Sequence, residues 1–158
     1  FMKTNNTFIF FLIILMSLSA CGFKSMNKLK QKSYFVQQIE LDGDKRIGYT
    51  IKNEILLNSS DGAKETIDIG LVIKKKKEVK EKNISNKITS YMVTLNVDLS
   101  VINVITSKKV ESTFTKSSSY NVAKNHSDTI SNEKSTIENL TSTITEDIIN
   151  FLTIYLNS

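Results

Sequence analysis

The chain has 158 residues, with 21 Lys and Arg against 16 Asp and Glu, no Pro, no Trp, one His and one Cys. That is one domain's worth of weakly basic polypeptide, long enough to bury a sizeable core. A single Cys excludes an intramolecular disulfide, a lone His with a lone Cys makes no zinc cluster, and no Gly-rich loop offers itself to nucleotide phosphates. The bias toward Lys, Asn, Ile, Ser and Thr points to AT-rich coding more than to a structural need.

Met2 is the expected start, with Phe1 left over from upstream sequence, and Lys3 supplies a positive flank. Phe8 to Met16 is an unbroken apolar run. A membrane-spanning helix needs about 20 apolar residues. The run is far shorter and has the length and flanks of a secretory h-region. It ends in Leu18-Ser19-Ala20-Cys21, which resembles the bacterial lipobox. That resemblance implies a signal peptide over residues 1–20, cleavage before Cys21, a diacylglycerol on its thiol and an acyl group on the new amino terminus. No other prosthetic group or cofactor is expected. A cysteine falling by chance beside an ordinary cleavage site is the plainer alternative, but an exported lone thiol tends to oxidise and acylation removes it. One acyl chain gives marginal membrane attachment, and three give a permanent one. Gly22 rather than Asp after the cysteine favours the outer membrane over retention at the inner one. Outside the cytoplasm the anionic partners are lipid head groups and phosphorylated glycolipid, so no nucleic acid is expected.

Residues 21–32 read as a lipidated tether and 33–158 as a single domain. Tyr34 to Leu41 is rich in strand formers and ends at the turn Asp42-Gly43. Asp44 caps a predicted helix to about Leu57, with Ile47, Ile51 and Ile55 on one face and Gly48 costing about 1 kcal/mol relative to Ala. Asn58 to Gly62 breaks it. Ile67 to Ile73 alternates as a second strand and leads into Lys74 to Lys82, with a hairpin turn over Asn83 to Asn86. The third strand is the clearest: Tyr91, Val93, Leu95, Val97, Leu99 and Val101 share one face, and Thr94, Asn96, Asp98 and Ser100 the other. Ser107-Lys108-Lys109 is the next turn, and Val110 to Val122 a polar fourth strand.

From about Asp128 to Leu156, Ile130, Ile137, Ile144 and Phe151 recur every seven residues, with Leu140, Ile148 and Tyr155 between them. That period predicts a helix roughly 40 Å long even though β-branched residues are poor helix formers. The order is β-α-β-β-β-α, an α+β two-layer sandwich of a four-stranded sheet with two helices on one face, preceded by a signal peptide.

Lys74, Lys75, Lys76 and Lys77 invite a reading as a contact for the phosphates of a glycolipid, which Lys108 and Lys109 would join if the fold brought them near. The plainer reading is a solvated hairpin partly neutralised by Glu78 and Glu81. His126, Ser127 and Asp128 hold the residue types of a hydrolytic triad, but adjacent in a loop they do not readily reach that geometry, so helix capping by Ser127 or Asp128 is the expectation.

Cys21-Gly22-Phe23 behind a lipobox, the element order, and Ser119-Tyr120-Asn121 closing the last strand before a long amphipathic helix together resemble the LptE family of lipopolysaccharide-assembly lipoproteins. The chain departs from the family pattern in its Ala-poor last helix and lysine-rich second hairpin. The resemblance implies a non-enzymatic lipoprotein of the outer membrane, its lipid anchor facing the periplasm. Such a protein plugs an LptD-like outer-membrane β-barrel and assists lipopolysaccharide delivery. A large barrel has a polar interior, which the Thr94, Asn96, Asp98 and Ser100 face and the polar fourth strand would suit. Four strands are too few to close a membrane barrel themselves. The competing readings are a pilot lipoprotein or binding module of another envelope complex, and an envelope hydrolase.

Overall fold

A computed structural model describes residues 34–156. The elements run β1 (Tyr34–Gly43), α1 (Lys45–Leu57), β2 (Glu65–Lys82), β3 (Ile88–Asn103), β4 (Lys109–Asn121) and α2 (His126–Leu156). The expected signal peptide, Cys21 and the tether lie outside the described residues. The sheet order is β1-β2-β3-β4, with β1 parallel to β2 and the other two pairs antiparallel. A parallel pair requires a crossover, which α1 supplies, and the antiparallel pairs need only hairpins. The two helices and the sheet's apolar face enclose one core, so the predicted two-layer sandwich and its element order hold.

The β1–α1 junction depends on two residues. Gly43 adopts φ +82°, a left-handed conformation that side chains resist, and a Cβ there would lie 2.0 Å from the Ile73 carbonyl oxygen. Asp44 caps α1, its carboxylate accepting from the Ile47 N–H at 3.2 Å, while its own N–H donates to the Ile73 carbonyl at 3.1 Å. Ile47, Ile51 and Ile55 are buried as their spacing predicts. Gly48 sits among them, where a Cβ would lie 3.2 Å from Ile73 Cδ1, so its lost helix propensity is exchanged for close approach to the sheet.

On β2, Ile67, Ile69, Leu71 and Ile73 are buried opposite β3, and then the same face turns to Lys75 and Lys77. The change falls where β1 ends, since Gly43 is the partner of Ile73, and where α1 begins. The lysines do not leave the sheet: β2 continues unbroken in pairing direction to Lys82, with shifts in register near Glu81, and the turn follows with Asn86 at φ 60°. Along β3, Val93, Leu95, Val97, Leu99 and Val101 are buried.

Helix α2 has 31 residues against 13 for α1. At 1.5 Å per residue it spans about 46 Å. Leu140, Ile144, Ile148 and Leu152 are buried, and Ile137 and Phe151 are partly so, with Phe151 meeting Phe114 edge-on at 5.9 Å between centroids. One member of the stripe is corrected here, and two core residues outside it appear. Ile130 is 54% exposed, because α1 is too short to close over the first turns of α2. Thr141 and Thr145 are buried although the period assigned them no place in the core; their hydroxyls donate to the Ile137 and Thr141 carbonyls at 2.8 and 2.7 Å. A hydroxyl satisfied within its own helix is cheap to bury.

Tyr34 is buried, and among the described residues its hydroxyl has no hydrogen-bond partner. Burial pushes its pKa up to about 12. Tyr34→Phe should leave stability unchanged or raise it by up to about 1 kcal/mol in urea denaturation, because it removes an unsatisfied group. Gly43→Ala should lower it by about 2 kcal/mol or more, from backbone strain and the clash with Ile73.

Candidate functional site

Three regions could meet a partner: the open face of the sheet, the lysine run, and the junction of β4 with α2. The open face follows from the parity of the strands. Thr94, Asn96, Asp98 and Ser100 of β3 lie between Lys74 and Lys76 of β2 and Thr113, Thr115 and Ser117 of β4. They are joined across the strands. The Thr94 and Ser117 hydroxyls are 2.8 Å apart, Asn96 Nδ2 donates to Thr115 at 2.9 Å, and Thr113 donates to Asp98 at 2.8 Å. Lys74 Nζ meets the other Asp98 oxygen at 3.2 Å. The Thr113 hydrogen bond, with that of Lys74, holds the Asp98 carboxyl below its ordinary value despite partial burial. This layer of short, cross-linked polar side chains presents hydroxyl, amide and carboxylate groups toward solvent.

The lysine run does not form one patch. Lys74 and Lys76 point to the open face, where they pair with Asp98 at 3.2 Å and Glu78 at 2.7 Å. Lys75 and Lys77 share the helix face with Leu95 and Val93, and reach Asp44 at 3.0 Å and Glu133 at 2.5 Å. Lys108 sits over the Tyr155 ring at 5.7 Å, and Lys109 pairs with Glu111 at 2.6 Å. The β3 partners of Lys77 and Lys109 are Val93 and Ile102. Nine residues of strand separate them by about 30 Å. The six lysines therefore occupy two faces and two ends. Such exposed pairs contribute little stability each.

Ser119, Tyr120 and Asn121 come together with Lys77. The Tyr120 hydroxyl donates to Glu133 Oε2 at 2.7 Å, and Lys77 Nζ donates to the same oxygen. Lys77 Nζ also lies 4.5 Å from the centroid of Tyr91, whose ring stacks on Tyr120 at 5.7 Å. Ser90 Oγ donates to the Tyr120 carbonyl, Lys80 Nζ to Ser119 Oγ, and Asn132 Nδ2 to the Asn121 carbonyl. The tripeptide thus fastens the first turns of α2 to three strands. Burial pushes the Glu133 carboxyl up, but its bonds to Lys77 and Tyr120 outweigh that and hold it below the ordinary value. Burial pulls the Lys77 ammonium down, and Glu133 more than restores it. Sequence reading singled out Lys77 and Tyr120 separately and missed Glu133 and Tyr91 as their partners. Strand parity could have placed Lys77 beside Tyr120; nothing local pointed to Glu133, 56 positions away.

Between the helices runs an open groove of about 740 Å³, with Ile47, Ile137 and Ile149 on its walls and Asp44, Lys75 and Glu133 among its polar groups. His126, Ser127 and Asp128 are exposed in the first turn of α2. Ser127 and Asp128 lie inside the helix rather than at its cap. The residue before it, Asn125, donates from Nδ2 to Asp128 at 3.2 Å, and Asp128 itself sits where an acid favours the helix dipole.

No family model and no curated protein matches this sequence. Solved structures do match the fold. A lipoprotein-assigned chain from Caulobacter crescentus is 15% identical, with a TM-score of 0.56 over 80% of this chain and 91% of its own. Rare lipoprotein B from Shewanella oneidensis is 11% identical, with a TM-score of 0.52 over 76% and 97%. Lipoprotein B from Nitrosomonas europaea is 10% identical, also at 0.52, over 80% and 85%. At these identities the likeness is one of fold alone: this sandwich is built like those of these bacterial lipoproteins.

Glu133→Gln should cost about 1 kcal/mol at neutral pH by losing a charged pair and weakening the Tyr120 bond. Because the folded pKa of Glu133 is depressed, its contribution is full above the ordinary carboxylate range and is lost as pH falls through the folded value. Urea curves of the two proteins should converge as the pH is lowered through that window.

Proposed function

We propose that this chain is an outer-membrane lipoprotein, acylated on Cys21 with a periplasm-facing anchor, that plugs an LptD-like β-barrel and assists lipopolysaccharide assembly at the surface. The observation that carries the reading is the conjunction of a lipobox-like start with a sandwich shared with bacterial lipoproteins. The polar open face supports it physically. A plug must bury its apolar surface within itself and show the wet lumen groups that hydrogen-bond, as Thr94, Asn96, Thr113 and Thr115 do. The role is one of binding and assembly, not catalysis, and it calls for no cofactor beyond the covalent lipid. Partners in this reading are the barrel and lipopolysaccharide, with no nucleic acid.

A second reading, a pilot lipoprotein or binding module of another envelope complex, draws on the dispersal of the lysines over two faces, which leaves no shared basic patch for lipid A phosphates.

Extraction in mild detergent followed by pull-down and mass spectrometry should recover a large β-barrel protein in stable complex, and depletion should reduce surface lipopolysaccharide. A stable partner of another kind would favour the second reading. Cys21→Ala should release the chain from the membrane fraction; a native chain with a free thiol at Cys21 and its leader intact would remove the lipoprotein reading.

A further inference from the structure

Charge and exposed apolar surface are both unevenly placed along this chain. Of the 21 cationic residues, Lys3, Lys24, Lys28, Lys30 and Lys32 precede Tyr34, which leaves 16 against all 16 acids in the remainder. The folded body is therefore neutral by formal charge. The whole net charge of +5 lies ahead of it, and no Asp or Glu occurs before Glu40. Exposed apolar side chains are gathered as well. Leu56, Leu57, Ile102, Val104, Ile105 and Ile154 are six of the eleven exposed large hydrophobics among the described residues.

These six belong to one end of the sandwich. The Val104 N–H donates to the Thr66 carbonyl at the start of β2, whose neighbour in register is Phe35, just inside the start of β1. The Ser60 N–H donates to the Tyr34 carbonyl, which brings the exit of α1 to that end. Lys108 over Tyr155 brings the last turn of α2 there too. Ile105 and Ile154 are 73% and 71% exposed. Isolated exposed apolar residues are ordinary, but a group drawn from two helix ends and a hairpin turn marks an interaction surface.

We propose that this end of the domain docks on the surface of a phospholipid bilayer containing anionic head groups, with Ile105 and Ile154 entering the interface. The inference rests on the lipid anchor at Cys21 and is independent of the barrel. Twelve residues separate Cys21 from Tyr34. Fully extended they reach about 45 Å at most, so an acylated Cys21 keeps the β1 end near the bilayer. The connecting sequence supplies four lysines, each worth about 1 kcal/mol beside an anionic surface; on the same end of the body Lys64, Lys108 and Lys109 are balanced by Asp61, Glu65 and Glu111, so the attraction comes from the connecting sequence. Aliphatic side chains among lysines are the composition that lies in a membrane interface. The opposite end offers a control: Ile84, at the tip of the β2–β3 hairpin, is fully exposed, with Val79, Val122 and Ile130 the other exposed large hydrophobics described toward that end.

The test uses unacylated residues 22–158. Among the described residues the buried core runs from Tyr34 to Leu152, all of it within this chain, and a cooperative melting transition is checked before binding is read. It should co-sediment with phosphatidylcholine vesicles containing phosphatidylglycerol, more weakly with phosphatidylcholine alone, and less as salt is raised. The double variant Ile105→Ser, Ile154→Ser should bind on the order of tenfold more weakly with an unchanged melting temperature, and Ile84→Ser should bind as the parent does. The proposal is overturned by absence of binding to anionic vesicles, by parent-like binding of the double variant, or by an equal loss from Ile84→Ser. A dimer seen by light scattering that the double variant dissolves, without vesicle binding, would also overturn it and assign this end to a second copy. Acylation of Cys21 is read separately from the mass of the native chain, so failure of the docking surface and failure of the lipoprotein reading are told apart.

Discussion

The register at Ile73 organises the molecule. Its carbonyl receives the Asp44 N–H at 3.1 Å, and its backbone lies against Gly43, where β1 stops and α1 starts. On one side of that point β2 has a strand beside it and a helix above it, and its inward residues are Ile67, Ile69, Leu71 and Ile73. On the other side β1 and α1 are gone, β3 and the first turns of α2 remain, and the inward residues become Lys75 and Lys77. The change of composition tracks a change of surroundings, since buried positions favour aliphatic side chains and half-covered ones accept long amphipathic lysines. Lys75 then closes the boundary by pairing with Asp44, the residue that caps α1.

Beyond that boundary a second mode of packing takes over. Tyr91, Tyr120, Lys77 and Glu133 replace the aliphatic core with stacked rings and a shared carboxylate oxygen. Such a cluster tolerates partial hydration better than an aliphatic layer would, which suits a part of the fold covered by one helix instead of two. The Ser119-Tyr120-Asn121 segment is thereby explained by what it fastens, with no ligand required. In the same way the Ala-poor composition of α2 is met by threonines whose hydroxyls turn back on their own helix.

Much of this was legible in the chain itself. The Asp44 cap, the Ile47, Ile51 and Ile55 stripe, the alternation of β3 and the long final helix all came from local period and end residues, which operate over a few positions. What was not legible depends on which elements stop where. Ile130 fits the seven-residue stripe as well as Ile144 does, but one is covered and the other is not, because α1 is short. The lysine run reads locally as a solvated hairpin, and antiparallel pairing with Val93 to Asn96 divides it between two faces, which no local pattern shows. A common phosphate site for Lys74 to Lys77 with Lys108 and Lys109 was conceivable only before the register separated them.

The early end of β1 has one more result. From Lys74 to Lys82, β2 is paired on β3 alone, so a stretch of backbone amides and carbonyls is left without a neighbouring strand. Bare strand borders of that kind recruit strands from other molecules and seed aggregation. Here eight of the nine side chains along it are Lys or Glu, Val79 being the exception. An incoming chain would have to bring its own backbone into a fence of ammonium and carboxylate groups and strip their water, which makes the run a guard against self-association.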